Sequence, residues 1–151
     1  MLDKQARADD DGEPPLRRET SFLLARSNAL SLTMSNEALA PLDLRARSYS
    51  VLALACGTRP LSQRDLAAYL RLDPSQVVAL VDGLQDRGLV ERRAHPGDRR
   101  TNVVVGTAAG ADLLSRARRR LETAEADLFG ALDADEQRQL AALLGRIAFR
   151  A

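Results

Sequence analysis

Apolar residues recur at helical spacing over most of this chain, and give way to two adjoining strand-like runs between Leu89 and Val105. Leu16, Leu23, Leu30 and Met34 fall at heptad and i+4 spacings, with Phe22 and Ala29 widening the stripe. They predict a long first helix from Leu16 to Leu39, ended by Pro41. A second helix is predicted from Arg45 to Cys56, where Gly57 stops it, followed by a short strand over Arg59–Leu61. Ser62 is placed to cap a third helix that ends near Leu70. Asp73-Pro74 then combines an N-cap with a proline at the first helical position. The fourth helix it opens runs to Arg87, where Gly88 supplies a left-handed stop. Val77, Leu80, Val81 and Leu84 form its inner face, while Ser75, Gln76, Ala79, Asp82 and Gly83 point away. Leu89–Arg93 and Asn102–Val105 read as strands joined by a turn at Pro96-Gly97-Asp98. Thr107 opens a fifth helix to Gly130, with Leu114, Ala117, Leu121, Ala124 and Leu128 as a coiled-coil-like seam. Asp133 and Glu136 form a capping box for a last helix carrying Leu140, Leu143, Leu144 and Ile147.

The fold class expected is mainly α with a small β-wing: a winged helix-turn-helix lobe plus long N- and C-terminal helices. Residues 1–15 are expected to be a disordered acidic tail and 16–44 an N-terminal dimerisation helix. Residues 45–106 should form the winged lobe, and 107–151 the C-terminal dimerisation helices. Such a lobe puts one helix in the DNA major groove and a positive loop beside it. The fourth helix would present Ser75 and Gln76, then Val78 and Ala79 one turn on. Glutamine can bond an adenine bidentately, and valine can touch a thymine methyl. Ser75 at the helix start can hold a phosphate, and Gln63 and Arg64 are placed for backbone contacts. In the wing, Arg92 and Arg93 would add phosphate contacts. Asp98 would brace Arg99 or Arg100 toward a narrow minor groove.

Composition changes this picture little. The 151 residues suffice for one core, and the net charge is only +1. Charge is instead segregated, acidic from Met1 to Glu13 and basic from Arg87 to Arg100. A local basic patch is what a DNA reader needs. Aromatics make up 3% of the chain, so leucine and alanine carry the apolar load and favour helices. One cysteine, Cys56, and one histidine, His95, exclude an intramolecular disulfide and a zinc site of Cys/His spacing. No signal-peptide pattern and no apolar run of about 20 residues occurs, so a cytoplasmic protein without membrane attachment is expected.

On these residues the chain resembles the MarR family of transcriptional regulators. The matching segments are Leu61 to Ala67, Leu72 to Ser75, Leu84 to Val90 and the wing Asp98-Arg99-Arg100. Ala40-Pro41-Leu42, and Thr107 with Gly110, fit as well. The resemblance implies a homodimer built from the first and last two helices, with Leu16, Leu23, Leu121, Leu128, Leu140, Leu144 and Ile147 at the interface. Two winged lobes would straddle a pseudo-palindromic operator on double-stranded DNA, with half-sites about 34–36 Å apart. It also implies a repressor of nearby genes, released by a small aromatic or anionic ligand. Arg26, Leu30, Arg45 and Tyr49 are the candidate ligand contacts: arginine for an anion, leucine for an aromatic body, tyrosine for a hydroxyl. The chain departs from the family at Ala79 and Gly83, where a basic residue is common, and at Gly106, where a leucine is usual.

No nucleophile–histidine–carboxylate set, phosphate-cradling glycine loop or metal cluster is present in the sequence, so no enzyme, no cofactor and no metal are expected. Cys56 sits in an apolar run with Leu52, Leu54 and Ala55, which suits packing more than redox sensing. The alternative from another class is a winged-helix module that binds a protein partner, favoured by the missing charge at Ala79 and Gly83.

Overall fold

The computed structural model describes residues 14–95 and 97–150, without the side chains of Asp98 and Arg99. The acidic tail expected at 1–15 lies almost wholly outside the described residues, as does Pro96 of the expected wing turn. Two compact units result, residues 1–33 and 34–151. In the first, a 3-10 turn over Pro15–Arg18 ends at Glu19, whose extended backbone delays the first α-helix, α1, to Thr20–Leu39. The continuous helix expected from Leu16 is thus broken once. Leu16, Leu23, Leu24 and Leu30 are exposed within this unit.

The second unit takes α1's last residues onward. A 3-10 turn at Ala40–Leu42 closes on Asp43, in the left-handed region at φ 51°. Helix α2 (Ala46–Ala55) follows, capped by Arg45 and Cys56. Strand β1 (Leu61–Ser62) leads into α3 (Gln63–Leu70). Ser62 and Asp65 make a reciprocal capping box there, since Ser62 Oγ accepts from Asp65 N and Asp65 Oδ2 accepts from Ser62 N. A turn through Arg71, also left-handed, brings the chain to α4 (Pro74–Asp86), capped by Asp73. Gly88 takes φ +68° after α4, a left-handed conformation that glycine adopts at no steric cost. The β2–β3 hairpin (Val90–His95 and Asp98–Gly106) completes an antiparallel sheet in the order β1-β3-β2. Both strands run two to four residues longer toward the turn than their hydrophobic pattern suggests, because ladder pairing of Arg93 with Val103 and Ala94 with Asn102 extends it through polar positions.

Leu39, Val51, Leu52, Leu66, Val77, Val81, Leu84, Val90 and Val104 are almost completely buried and form one core that joins α2, α3, α4 and the sheet. Each such side chain contributes roughly 1.5–3 kcal/mol by leaving water. Helix α5 (Ala108–Leu128) adds Leu113, Leu114, Ala117 and Leu121 to the same core. Leu121, expected at a dimer interface, is therefore packed within its own chain at 8% exposure. Thr107 starts α5 with two bonds: its hydroxyl donates to Gly88 O at 2.7 Å and accepts from Gly110 N at 3.1 Å. Helix α6 (Ala134–Ala148) begins at the expected Asp133/Glu136 box and buries none of its residues, leaving Leu143, Leu144 and Ile147 exposed. Leu128 and Leu140 are half-buried.

Candidate nucleic-acid interface

Helix α4 sits with Val77, Val81 and Leu84 against the core, which turns Ser75, Gln76, Val78 and Ala79 to the surface. The side chains expected to meet bases are therefore exposed together at the N-terminal end of one helix. Asp73 fixes that end. Its Oδ1 accepts from Ser75 N at 2.8 Å and from Ser75 Oγ at 2.5 Å. These bonds hold the Asp73 carboxyl below the usual carboxylate range. They also commit both Ser75 donors to the cap, so the phosphate role expected for Ser75 competes with Asp73. Gln76, whose backbone N–H donates to Asp73 O, keeps its side chain outward.

The cations sort into two groups. Arg64 is exposed on α3 and lines an open cleft with Arg71, Leu72 and Pro74 beside the start of α4. Arg71 reaches this cleft from the turn between α3 and α4, a position that the sequence pattern does not mark. On β2, Arg93 is exposed and paired with Glu91. Arg100 is exposed on β3 and engaged in a polar interaction. The brace expected from Asp98, and the aim of Arg99, fall on side chains that are not described. Arg92 points inward instead. Its guanidinium bonds Gln63 Oε1 at 2.7 Å, Gln85 Oε1 at 3.0 Å and Asp82 Oδ1 at 2.5 Å. Arg92 and Gln63, both expected at the DNA backbone, are thus tied to each other. Arg87 turns away from the wing and donates to Asp43 O at 2.6 Å and Leu42 O at 3.0 Å.

A helix start with outward glutamine and serine, two flanking arginines and an arginine-bearing hairpin form a surface suited to phosphates and base edges. The sequence pattern of the MarR family matches residues 42–101. Two solved structures from Rhodococcus RHA1 strains are each 40% identical to the chain. CouR of Rhodococcus jostii, bound to p-coumaroyl-CoA, covers 92% of this chain and 98% of its own, with a TM-score of 0.84. A MarR-family transcriptional regulator covers 98% and 99%, with a TM-score of 0.81. The chain belongs to the MarR family. It is a DNA-binding transcriptional regulator. A variant of MarR from E. coli complexed with operator DNA is 27% identical, covers 84% of this chain and 91% of its own, and has a TM-score of 0.74.

Within that family this chain's departures acquire a structural setting. Ala79 and Gly83 border a cleft of about 460 Å³ between α4 and the start of α2, lined also by Asn36, Arg45, Ser48, Leu80 and Arg87. Arg45 of the four expected ligand contacts lines it. Tyr49 is half-buried against the core, while Arg26 and Leu30 belong to the first unit and are exposed. The absent side chain at Gly106 makes room for Cys56, since a Cβ there would lie 2.2 Å from Cys56 Sγ. Burial pushes the Cys56 thiol up from its ordinary value, against a smaller opposing pull from Arg118. Among the described residues no group of three or more His, Cys, Asp or Glu converges as for a metal, and no helix is long and apolar enough to cross a membrane.

Proposed function

We propose that this chain is a homodimeric repressor acting in the cytoplasm, which reads a pseudo-palindromic operator with Gln76, Val78 and Ala79 and holds phosphates with Arg64, Arg71, Arg93 and the wing arginines. The joint exposure of Gln76, Val78 and Ala79 at the capped end of α4 carries this reading. The unpartnered apolar residues support the dimer: Leu16, Leu23, Leu24 and Leu30 in the first unit, and Leu143, Leu144 and Ile147 on α6, are 38–55% exposed. Release by a small aromatic or anionic ligand is supported by a cleft beside the reading face. The cleft between α2 and α4 offers Leu80 as an apolar wall and Arg45 as a cation, and it touches the recognition helix itself. The p-coumaroyl-CoA bound to CouR is both aromatic and anionic.

Binding to duplex DNA from upstream of the chain's own gene, measured at two salt concentrations, tests the reading. Each phosphate contact contributes a slope of about 0.9 in log K against log salt. Saturable, sequence-selective binding that weakens steeply with salt is expected, and an aromatic acyl thioester should abolish it. Absence of selective binding at low salt would favour the protein-interaction alternative, to which the uncharged Ala79 and Gly83 lend support.

A further inference from the structure

Arg92 lies on the wing strand, yet three of its nitrogens are spent on the helices behind it. Nε reaches Gln63 at the first position of α3, while Nη1 and Nη2 reach Gln85 and Asp82, one turn apart on α4. The guanidinium side chain retains 27% of its exposure and the carboxylate 54%. A planar fork that satisfies three acceptors from two helices fixes both the position and the tilt of β2 against α4. The neighbouring charges on β2, Glu91 and Arg93, are paired with each other and leave this node alone.

We propose that Asp82 and Arg92 are positioning residues for DNA binding: the node sets the angle between the recognition helix and the wing, and Asp82 is therefore required for operator affinity although it is an acid beside the reading face. The inference rests on the DNA-reading function above, and it inverts the simple electrostatic expectation. An unpaired carboxylate near phosphates repels them, so its removal should tighten binding. A carboxylate that holds the wing in place does the opposite.

Operator affinity and its salt dependence, measured for the wild-type protein and for Asp82→Ala, Asp82→Asn, Arg92→Ala and Arg92→Lys, test this. The positioning role predicts that Asp82→Ala weakens operator binding tenfold or more. Asp82→Asn, which keeps the acceptor oxygen, should fall between it and wild type. Arg92→Lys should be about as weak as Arg92→Ala, because an ammonium cannot bridge three separated acceptors. A direct phosphate contact predicts instead that lysine restores most of the affinity, and that Arg92→Ala alone lowers the salt slope by about 0.9. Asp82→Ala binding as tightly as wild type or tighter, or Arg92→Lys behaving as wild type, overturns the proposal. Thermal melting of each variant accompanies the titrations, and Asp82→Asn decides the matter where Asp82→Ala melts early. A wild-type protein with no selective DNA binding would instead overturn the functional reading, and this inference with it.

Discussion

One substitution, glycine to alanine, should have opposite signs at two helical positions of this chain. Gly110 lies in the first turn of α5, under the backbone of Leu89. A Cβ at Gly110 would sit 2.0 Å from Leu89 O, 3.0 Å from Leu89 C and 3.2 Å from Leu52 Cδ1. Ordinary contact requires the helix and the loop to part by well over an ångström, and a backbone carbonyl cannot rotate aside. Leu89 O also accepts from Thr107 N at 3.1 Å, and Thr107 Oγ1 bonds Gly88 O, so separation strains the joint between α4 and α5. Overpacking of this kind costs about 1–3 kcal/mol. A lost backbone bond adds about 1 kcal/mol, and the better helix propensity of alanine returns up to about 1 kcal/mol. Gly110→Ala should therefore destabilise the protein by about 1–4 kcal/mol. At Gly83 on α4 nothing lies within 4 Å of the added Cβ, so Gly83→Ala keeps only the propensity gain, about 0.5–1 kcal/mol of stabilisation.

Urea unfolding at one fixed protomer concentration reads both, since stability of a dimer depends on concentration. In melting experiments at this chain length the expected shifts are about 2–4 °C per kcal/mol, downward for Gly110→Ala and upward for Gly83→Ala. Gly110→Ala at wild-type stability would refute the reasoning, because it would mean that the α4–α5 joint yields freely.

Other outcomes are expected. Asp65 and Asp73 are both held below the usual carboxylate range, chiefly by side-chain bonds from Ser62 and Ser75. Their caps therefore stabilise the fold above the unfolded value near 3.8, and this is lost as pH falls through the lower folded values. Helicity followed from pH 5 downward should drop less steeply in Asp73→Asn, which keeps a capping oxygen that does not titrate; an unchanged profile would exclude Asp73 from acid unfolding. Gln76→Ala should relax preference at one base position by roughly 1–3 kcal/mol, read by selection from a random duplex pool, with affinity for random DNA little changed. The Cys56 thiol, raised by burial, should react with a thiol reagent at neutral pH much more slowly in the folded protein than in urea; equal rates would contradict its packing role. Leu121→Asp should unfold the second unit, because Leu121 is core; a folded monomer would return it to the dimer interface.

Local chemistry made most of the second unit legible. Ser62, Asp73, Thr107 and Asp133 are short-range caps whose partners lie two or three residues on, and each starts a helix where the sequence predicts it. Gly88 marks its stop for an equally local reason. Legibility ended where a residue's role depends on a distant partner. Leu121 fits a seam at heptad spacing whether the seam faces another chain or its own core. Gly106 reads as a departure until Cys56, fifty residues earlier in the chain, is found in the space it leaves. The break at Glu19 carries no proline or glycine of its own to announce it.

The same distinction governs the interface. Sequence reading treats Arg87, Arg92, Arg93, Arg99 and Arg100 as one basic run, whose summed charge would draw DNA. In the fold Arg87 is committed to carbonyls of the α1–α2 turn and Arg92 to Gln63, Gln85 and Asp82. Arg71, from outside that run, joins Arg64 beside the recognition helix. An arginine already holding three acceptors would have to give them up to bind a phosphate, so its charge adds little attraction and much geometry. Asp82 likewise counts as a repulsive charge only while its partner is ignored. With a net charge of only +1, summed charge is a weak guide to this surface, and the proposed role of the β2–α4 contacts is to set the angle at which its exposed arginines are presented.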